Sequence, residues 1–300
     1  MNAILSSIIP VASIVLLGVV AGKTLKLELA TLSRLVLYVL SPALIADSLY
    51  RTEVSAENAA GMVIGCIATF FMLGLIAWIL GKKKGLPEPL QKSFVTTTVF
   101  PNAGFMGLPI TLFALEELGL QRAVIYMLAH SIISFTTLPA FLKGGGFWNR
   151  VAFTLKLPII WGMFLGFGLR LLPGSPGSLP FKLDTSLHML AQANICIGLL
   201  ILGMQISNSR FELKAFEGGS SLMRLAAGGI VAYWIGRALG FQTLDLQVLI
   251  LQSSMPAGIS SFLMVNEFGG DGARTAGVVV ISTLLSFLTL PVVLWAISMV

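Results

Sequence analysis

The chain has 300 residues, of which 56% are hydrophobic and only 11% charged, with a formal net charge of +6. Ordinary soluble domains carry about a quarter charged residues, so this composition excludes a soluble globular protein and points to a chain that lives in lipid. The basic excess does not make a nucleic-acid binder, because Lys and Arg are scattered through short polar separators with no aromatics stacked among them.

Long apolar stretches follow one another along the chain, most of them near the ~20 residues a spanning helix needs. The first, residues 3–21, has no Lys or Arg before it and no cleavage pattern after it, which reads as a retained helix and not a signal peptide. Residues 35–49, 61–80, 123–142 and 157–172 continue the series, and 195–206, 225–239 and 278–300 extend it. Two further spans, around 104 and 257, are broken by proline. Together they predict ten transmembrane helices centred near residues 12, 41, 69, 104, 132, 162, 196, 229, 257 and 286. Loop punctuation separates them at 81–87, at Lys143-Gly144-Gly145-Gly146 and at Pro173-Gly174-Ser175-Pro176-Gly177. Of the 19 Lys and Arg, 14 fall in one alternate set of loops, Arg224 among them, and 5 in the other. Cytoplasmic loops are the basic ones, so the first loop is expected in the cytoplasm and both termini outside a cell membrane that the chain crosses many times. Cys66 and Cys196 sit inside apolar spans as small hydrophobes, and neither a disulfide, a metal site nor a cofactor is expected.

An internal repeat organises these spans. Ser134-Phe135-Thr136-Thr137-Leu138-Pro139 matches Ser286-Phe287-Leu288-Thr289-Leu290-Pro291 at five of six positions. Pro101 lies 38 residues before Pro139 and Pro256 lies 35 before Pro291, while Pro10 and Gly18 recur as Pro158 and Gly166. Five spans in each half force the second half to enter the membrane upside down. The expected fold is therefore an all-α membrane protein of two inverted five-helix repeats, 1–145 and 146–300, with broken, crossing fourth and ninth helices.

The chemistry is expected at the breaks. Residues 100–109 read Phe-Pro-Asn-Ala-Gly-Phe-Met-Gly-Leu-Pro, and residues 252–261 read Gln-Ser-Ser-Met-Pro-Ala-Gly-Ile-Ser-Ser. Prolines and glycines at this density unwind a helix, and unwound backbone survives in hydrocarbon only beside protein or a water-filled cavity. Each break exposes a half-helix N-terminus whose free N–H groups attract an anion without needing Lys or Arg. Asn102 is the leading candidate ligand, since its amide donates to a carboxylate; its competing role is to cap the break. Ala257 stands where a second Asn would recur, leaving Ser253, Ser254 and Ser260 as smaller donors that could equally bond back to their own helix. His130 is an ionisable group at membrane depth, a candidate for proton coupling or a neutral interhelical donor. Asp47 and Arg51 are spaced for an i,i+4 ion pair, and of Gln192 and Asn194, two residues apart, at most one is expected to line a pathway. No Asp or Glu lies near the centre of a span, which disfavours sodium coupling through a carboxylate but leaves backbone carbonyls able to hold an ion.

The 100–109 element, the Met255-Pro256-Ala257 match and the five-plus-five repeat resemble the auxin efflux carrier family in its short bacterial form, over essentially the whole chain. That resemblance implies a fold akin to bile-acid symporters and sodium/proton antiporters, with helices 1, 2, 6 and 7 as a scaffold and helices 3–5 and 8–10 as a mobile, elevator-like unit. It also implies a substrate site at Pro101, Asn102, Gly104 and Pro256, and a mono- or dicarboxylate such as malate, malonate or an auxin-like acid. The long hydrophilic central loop of many plant members is missing. The expected partners are a small organic anion and the bilayer, with a homodimer compatible and no nucleic acid. Three alternatives stand beside this one: a sodium- or proton-coupled symporter of a larger bile-acid-like anion, a passive channel or sensor, and an intramembrane hydrolase. The hydrolase would use His130 and a serine, but Ser131 is expected to face elsewhere on the helix.

Overall fold

The computed structural model describes residues 2–25, 27–143, 155–172, 179–208 and 214–300. The glycine run at 144–146, the Pro-Gly separator at 173–177 and the division at 145/146 lie outside the described residues. Among those described, every regular element is a helix. α1 is Asn2–Thr24; α2 (Leu29–Leu35) continues through a wide turn at Val36–Leu40 into α3 (Ser41–Tyr50). α4 is Ala56–Lys83, started by Ser55, whose Oγ accepts from the Asn58 N–H at 3.1 Å, and closed by Lys82 and Lys83 against the negative end of the helix. α5 (Glu88–Val99) starts with a proline in its first turn, where a missing N–H costs nothing, and α6 runs Leu108–Lys143. α7 (Pro158–Arg170), α8 (Leu183–Asn208), α9 (Ala215–Ala238), α10 (Thr243–Ser253), α11 (Ile259–Phe268) and α12 (Gly272–Ile297) complete the chain.

Among the described residues, five helical stretches are long and apolar enough to cross a bilayer: 29–50, 56–83, 103–142, 180–207 and 272–297. Shorter apolar helices, 8–24 and 158–170, accompany them. The 103–142 stretch is about twice the length a bilayer needs, and it breaks at Glu116, whose φ of 56° and ψ of −164° are not helical. Its two arms are therefore separate rods.

The helices pack in two sets. α1, α3, α7 and α8 pack on one another, while α4, α5, α6 and α9 to α12 form the second set. In the first set the contact is backbone against backbone. A Cβ added to Gly203 would lie 2.0 Å from the Val15 carbonyl oxygen, and one on Gly18 would lie 2.3 Å from that of Leu200. Small residues at such crossings let helices associate in lipid, where burial of apolar area gives no drive. The second set is unusual in what it buries: Thr69, Thr96, Thr97, Thr98, His130, Arg224, Gln252 and Ser253 all lie inside it. Apolar residues face out, with Leu288 on α12 and Trp234 on α9 among the most exposed. That distribution is inverted relative to a soluble protein and matches a chain solvated by lipid.

A buried basic residue departs from the sequence reading. Arg224 was counted with the loops, but it lies inside α9 and is 1% exposed. Removing it leaves a loop bias of 13 to 5.

Candidate functional site

The two proline segments are interrupted, and they meet. α5 ends at Val99 and α10 at Ser253, and the extended residues that follow pair antiparallel at Pro101 and Ala257. The Asn102 N–H donates to the Pro256 carbonyl at 2.7 Å, and the Gly258 N–H donates to the Phe100 carbonyl at 2.8 Å. Two glycines permit the approach: a Cβ at Gly258 would lie 3.0 Å from the Pro101 oxygen, and one at Gly107 would lie 2.3 Å from Gln252 Oε1. Gln252 crosses Gly107 to donate from Nε2 to Thr111 Oγ1 at 2.9 Å, tying the second break to α6.

Hydrocarbon does not tolerate unpaired backbone groups, so each freed carbonyl needs a donor. Phe100 and Pro256 are satisfied by the pairing just described, and the Asn102 carbonyl accepts from the Gly107 N–H at 2.9 Å. The Val99 carbonyl lies 2.9 Å from His130 Nε2; a carbonyl only accepts, so Nε2 carries the proton and donates. Three more carbonyls converge on Arg224. Its Nε donates to Met255 O at 3.1 Å, and its two terminal nitrogens donate to Thr98 O and Ser253 O. Arginine is suited to this because its planar fork offers five donors in fixed directions.

The donors at the breaks are treated differently. The N–H groups of Ala103, Gly104, Phe105, Ile259 and Ser260 have no protein acceptor among the described residues. All five residues line one cavity of about 890 Å³ of open space. Both helix N-termini thus present free N–H groups and positive dipole ends to the same space. Asn102 borders it too; it is 6% exposed, and its side-chain amide makes no hydrogen bond among the described residues. Pro101, Ser260 and His130 are also in its wall. From the other set of helices, Ser41 and Asn194 contribute, with Ser41 Oγ donating to Asn194 Oδ1 at 3.0 Å.

Three expected ligands lie elsewhere. Ser253 Oγ pairs with the Tyr126 hydroxyl at 3.1 Å, Ser254 Oγ donates back to the Ile250 carbonyl at 2.7 Å, and Pro256 offers only its carbonyl, already bonded to Asn102. None of the three lines the cavity. Ser131, expected to face away from His130, borders the same cavity as His130, while Ser134 is the serine against the imidazole, its Oγ 3.3 Å from Nε2 and fully buried.

A larger polar vestibule, about 1920 Å³ of open space, adjoins the cavity, and Leu44 lines both. Gln192 lines the vestibule and Asn194 the inner cavity. The Asp47–Arg51 pair forms as spaced, at 2.8 Å, and the bond to Asp47 raises the Arg51 guanidinium above its ordinary pKa. His188 joins it, with Nδ1 2.8 Å from Asp47 Oδ2. Gln121 bridges the two sets of helices there, its Oε1 accepting from the Glu53 N–H at 2.9 Å.

The sequence profile described as membrane transport protein matches residues 3–146 and 152–294. The chain belongs to this auxin efflux carrier-like membrane transport family. An "uncharacterized transporter" of Methanothermobacter thermautotrophicus is 29% identical, over 97% of each chain. A Rhizobium meliloti protein described as a "putative malonate transporter" is 23% identical over 89% of this chain and 86% of its own length. An "uncharacterized transporter" of Methanocaldococcus jannaschii is likewise 23% identical, over 88% and 87%. The family and these relatives are transporters and not enzymes, which disposes of the intramembrane hydrolase. This is a multi-pass membrane transporter of a small molecule.

Proposed function

We propose that the protein moves a small mono- or dicarboxylate through the membrane by alternating access, with the substrate bound at the crossing of the two broken helices. The observation that carries this is the pattern at the break: seven of its carbonyls, those of Thr98, Val99, Phe100, Asn102, Ser253, Met255 and Pro256, are bonded by protein donors, whereas five N–H groups and the Asn102 amide stay open to one cavity. Five free N–H groups at two positive helix ends favour a ligand rich in acceptors. A carboxylate fits. Malonate heads the substrates to test, since a relative's description names it.

In this reading α5 with the first arm of α6, and α10 with α11, are the fourth and ninth of ten spans, in two inverted repeats of 1–145 and 146–300. α1, α3, α7 and α8 form the scaffold, and the second set of helices is the elevator that carries the crossing past it. Leu44 is then the barrier between vestibule and site, and Gln121 the latch that must release as the mobile set slides. The +6 chain would sit with both termini extracytoplasmic. Counterflow of labelled malonate, malate and indole-acetate into proteoliposomes tests the function: exchange-accelerated flux of one of them is expected. Uniform flux without acceleration would make the protein a pore.

His130 serves here as a donor to the Val99 carbonyl, a task that glutamine can share. His130→Gln is expected to retain transport with a pH profile parallel to wild type, measured as initial uptake rate from pH 5 to 8, the range in which an unperturbed imidazole titrates. A displaced profile would instead give His130 the proton-carrying role.

A further inference from the structure

Arg224 is the least expected group in the protein, a guanidinium 1% exposed at the centre of the polar set of helices. A charge at membrane depth is costly and needs compensation. Among the described residues no carboxylate pairs with it; its partners are the carbonyls of Thr98, Ser253 and Met255. Those oxygens come from the C-terminal ends of α5 and α10, where each half-helix dipole is negative. Three carbonyls on two unwound helix ends, with no acid nearby, make the kind of cage in which a secondary transporter holds a monovalent coupling cation. Here the cage is filled by a side chain. α9 is pressed close for this purpose: a Cβ at Gly228 would lie 1.9 Å from the Ser253 oxygen and 2.6 Å from the Arg224 terminal nitrogen.

We infer that Arg224 is a tethered substitute for a coupling cation: it occupies a latent sodium-sized carbonyl site, so that this transporter works without sodium, and its removal opens that site to monovalent cations. The fixed charge also gives the crossing a permanent positive potential, which no ion has to bring. The consequence for coupling rests on the carrier function proposed above; the cation site itself does not.

Thermal unfolding of the purified protein in detergent separates the two. With sodium chloride replaced by choline chloride at constant ionic strength, the wild-type Tm is expected to stay fixed, as a ligand without a site shifts nothing. Arg224→Ala is expected to have a lower Tm that rises saturably with sodium, and also with methylguanidinium, the missing fragment of the side chain. Arg224→Lys keeps a cation in the cage and is expected to remain insensitive to sodium, which preserves the test if the alanine variant does not fold. Saturable stabilisation of the wild type by sodium would overturn the inference, as would an Arg224→Ala protein that responds to neither ion, or an Arg224→Lys protein that gains a sodium response. None of these readouts uses a carboxylate substrate, so failure of the proposed transport activity leaves them interpretable.

Discussion

Gly203→Leu is expected to leave no folded protein after extraction from the membrane, read as loss of the monodisperse peak in size-exclusion chromatography. The reason is the partner that a side chain at 203 would meet. The added Cβ would fall 2.0 Å from the Val15 carbonyl oxygen and 2.7 Å from the Val19 nitrogen, both backbone atoms of α1 that no rotamer change can move. α1 and α8 would have to part along their length, opening the contact that buries Val11, Val15, Leu199 and Leu202. Overpacking a core typically costs about 1–3 kcal/mol when side chains can adjust. Here two helices must separate, so the cost should take most of the roughly 5–15 kcal/mol by which proteins are stable. Gly168→Leu is the control, since a Cβ there meets nothing within 4 Å, and its peak should match wild type. A Gly203→Leu protein of unchanged Tm would show that this crossing does not hold the first set of helices together.

The contrast between α8 and the break shows which features a sequence displays. Apolar length and proline spacing are local, so the helical class, the interruptions near Pro101 and Pro256, and the i,i+4 pair of Asp47 and Arg51 could be read directly. Asn102 could be singled out for the same reason, standing between Pro101 and Gly104. Ser254 takes the back-bond to its own helix that the sequence offered as its alternative, and the sequence could not rank the two roles because helical phase is lost at an unwound segment: the face presented at the end of α10 says nothing about the face presented at the start of α11. His188 was passed over because its partner Asp47 is 141 residues away, a contact no local pattern encodes. Arg224 was assigned to a loop because it lies one turn past a Gly-Gly-Ser-Ser sequence that reads as a separator. The overlooked signal was downstream: Gly228 and Gly229, at i+4 and i+5, mark a helix face stripped for close backbone approach, where an arginine would be buried. Segments such as Glu88–Val99, with Gln91, Lys92, Ser93 and three consecutive threonines, are too short and polar to be recognised as spans alone. Their polarity makes sense only when the buried partners of the crossing are known.

The second large effect is expected at Asn102, where two substitutions separate hydrogen bonding from charge. On the proposed reading the Asn102 amide donates to a substrate carboxylate. Asn102→Ala removes a bond to a charged group, worth about 1.5–3 kcal/mol, and should weaken apparent affinity ~10- to 100-fold. Asn102→Asp does more, since it places an anion where the substrate's anion binds. At about 4 Å and an effective dielectric constant near 20, like charges repel by about 4 kcal/mol, roughly a thousandfold. Neither variant should unfold the protein, because the side chain makes no hydrogen bond among the described residues and the Asn102 backbone keeps its bonds to Pro256 and Gly107. Unchanged Tm values would verify that. The pH dependence has a definite sign: as pH falls the introduced carboxylate takes up a proton and the repulsion disappears, so the Asn102→Asp to Asn102→Ala ratio of uptake should climb toward one on acidification. Two variants equally active and indifferent to pH would move the anion site away from the crossing, whatever the identity of the substrate.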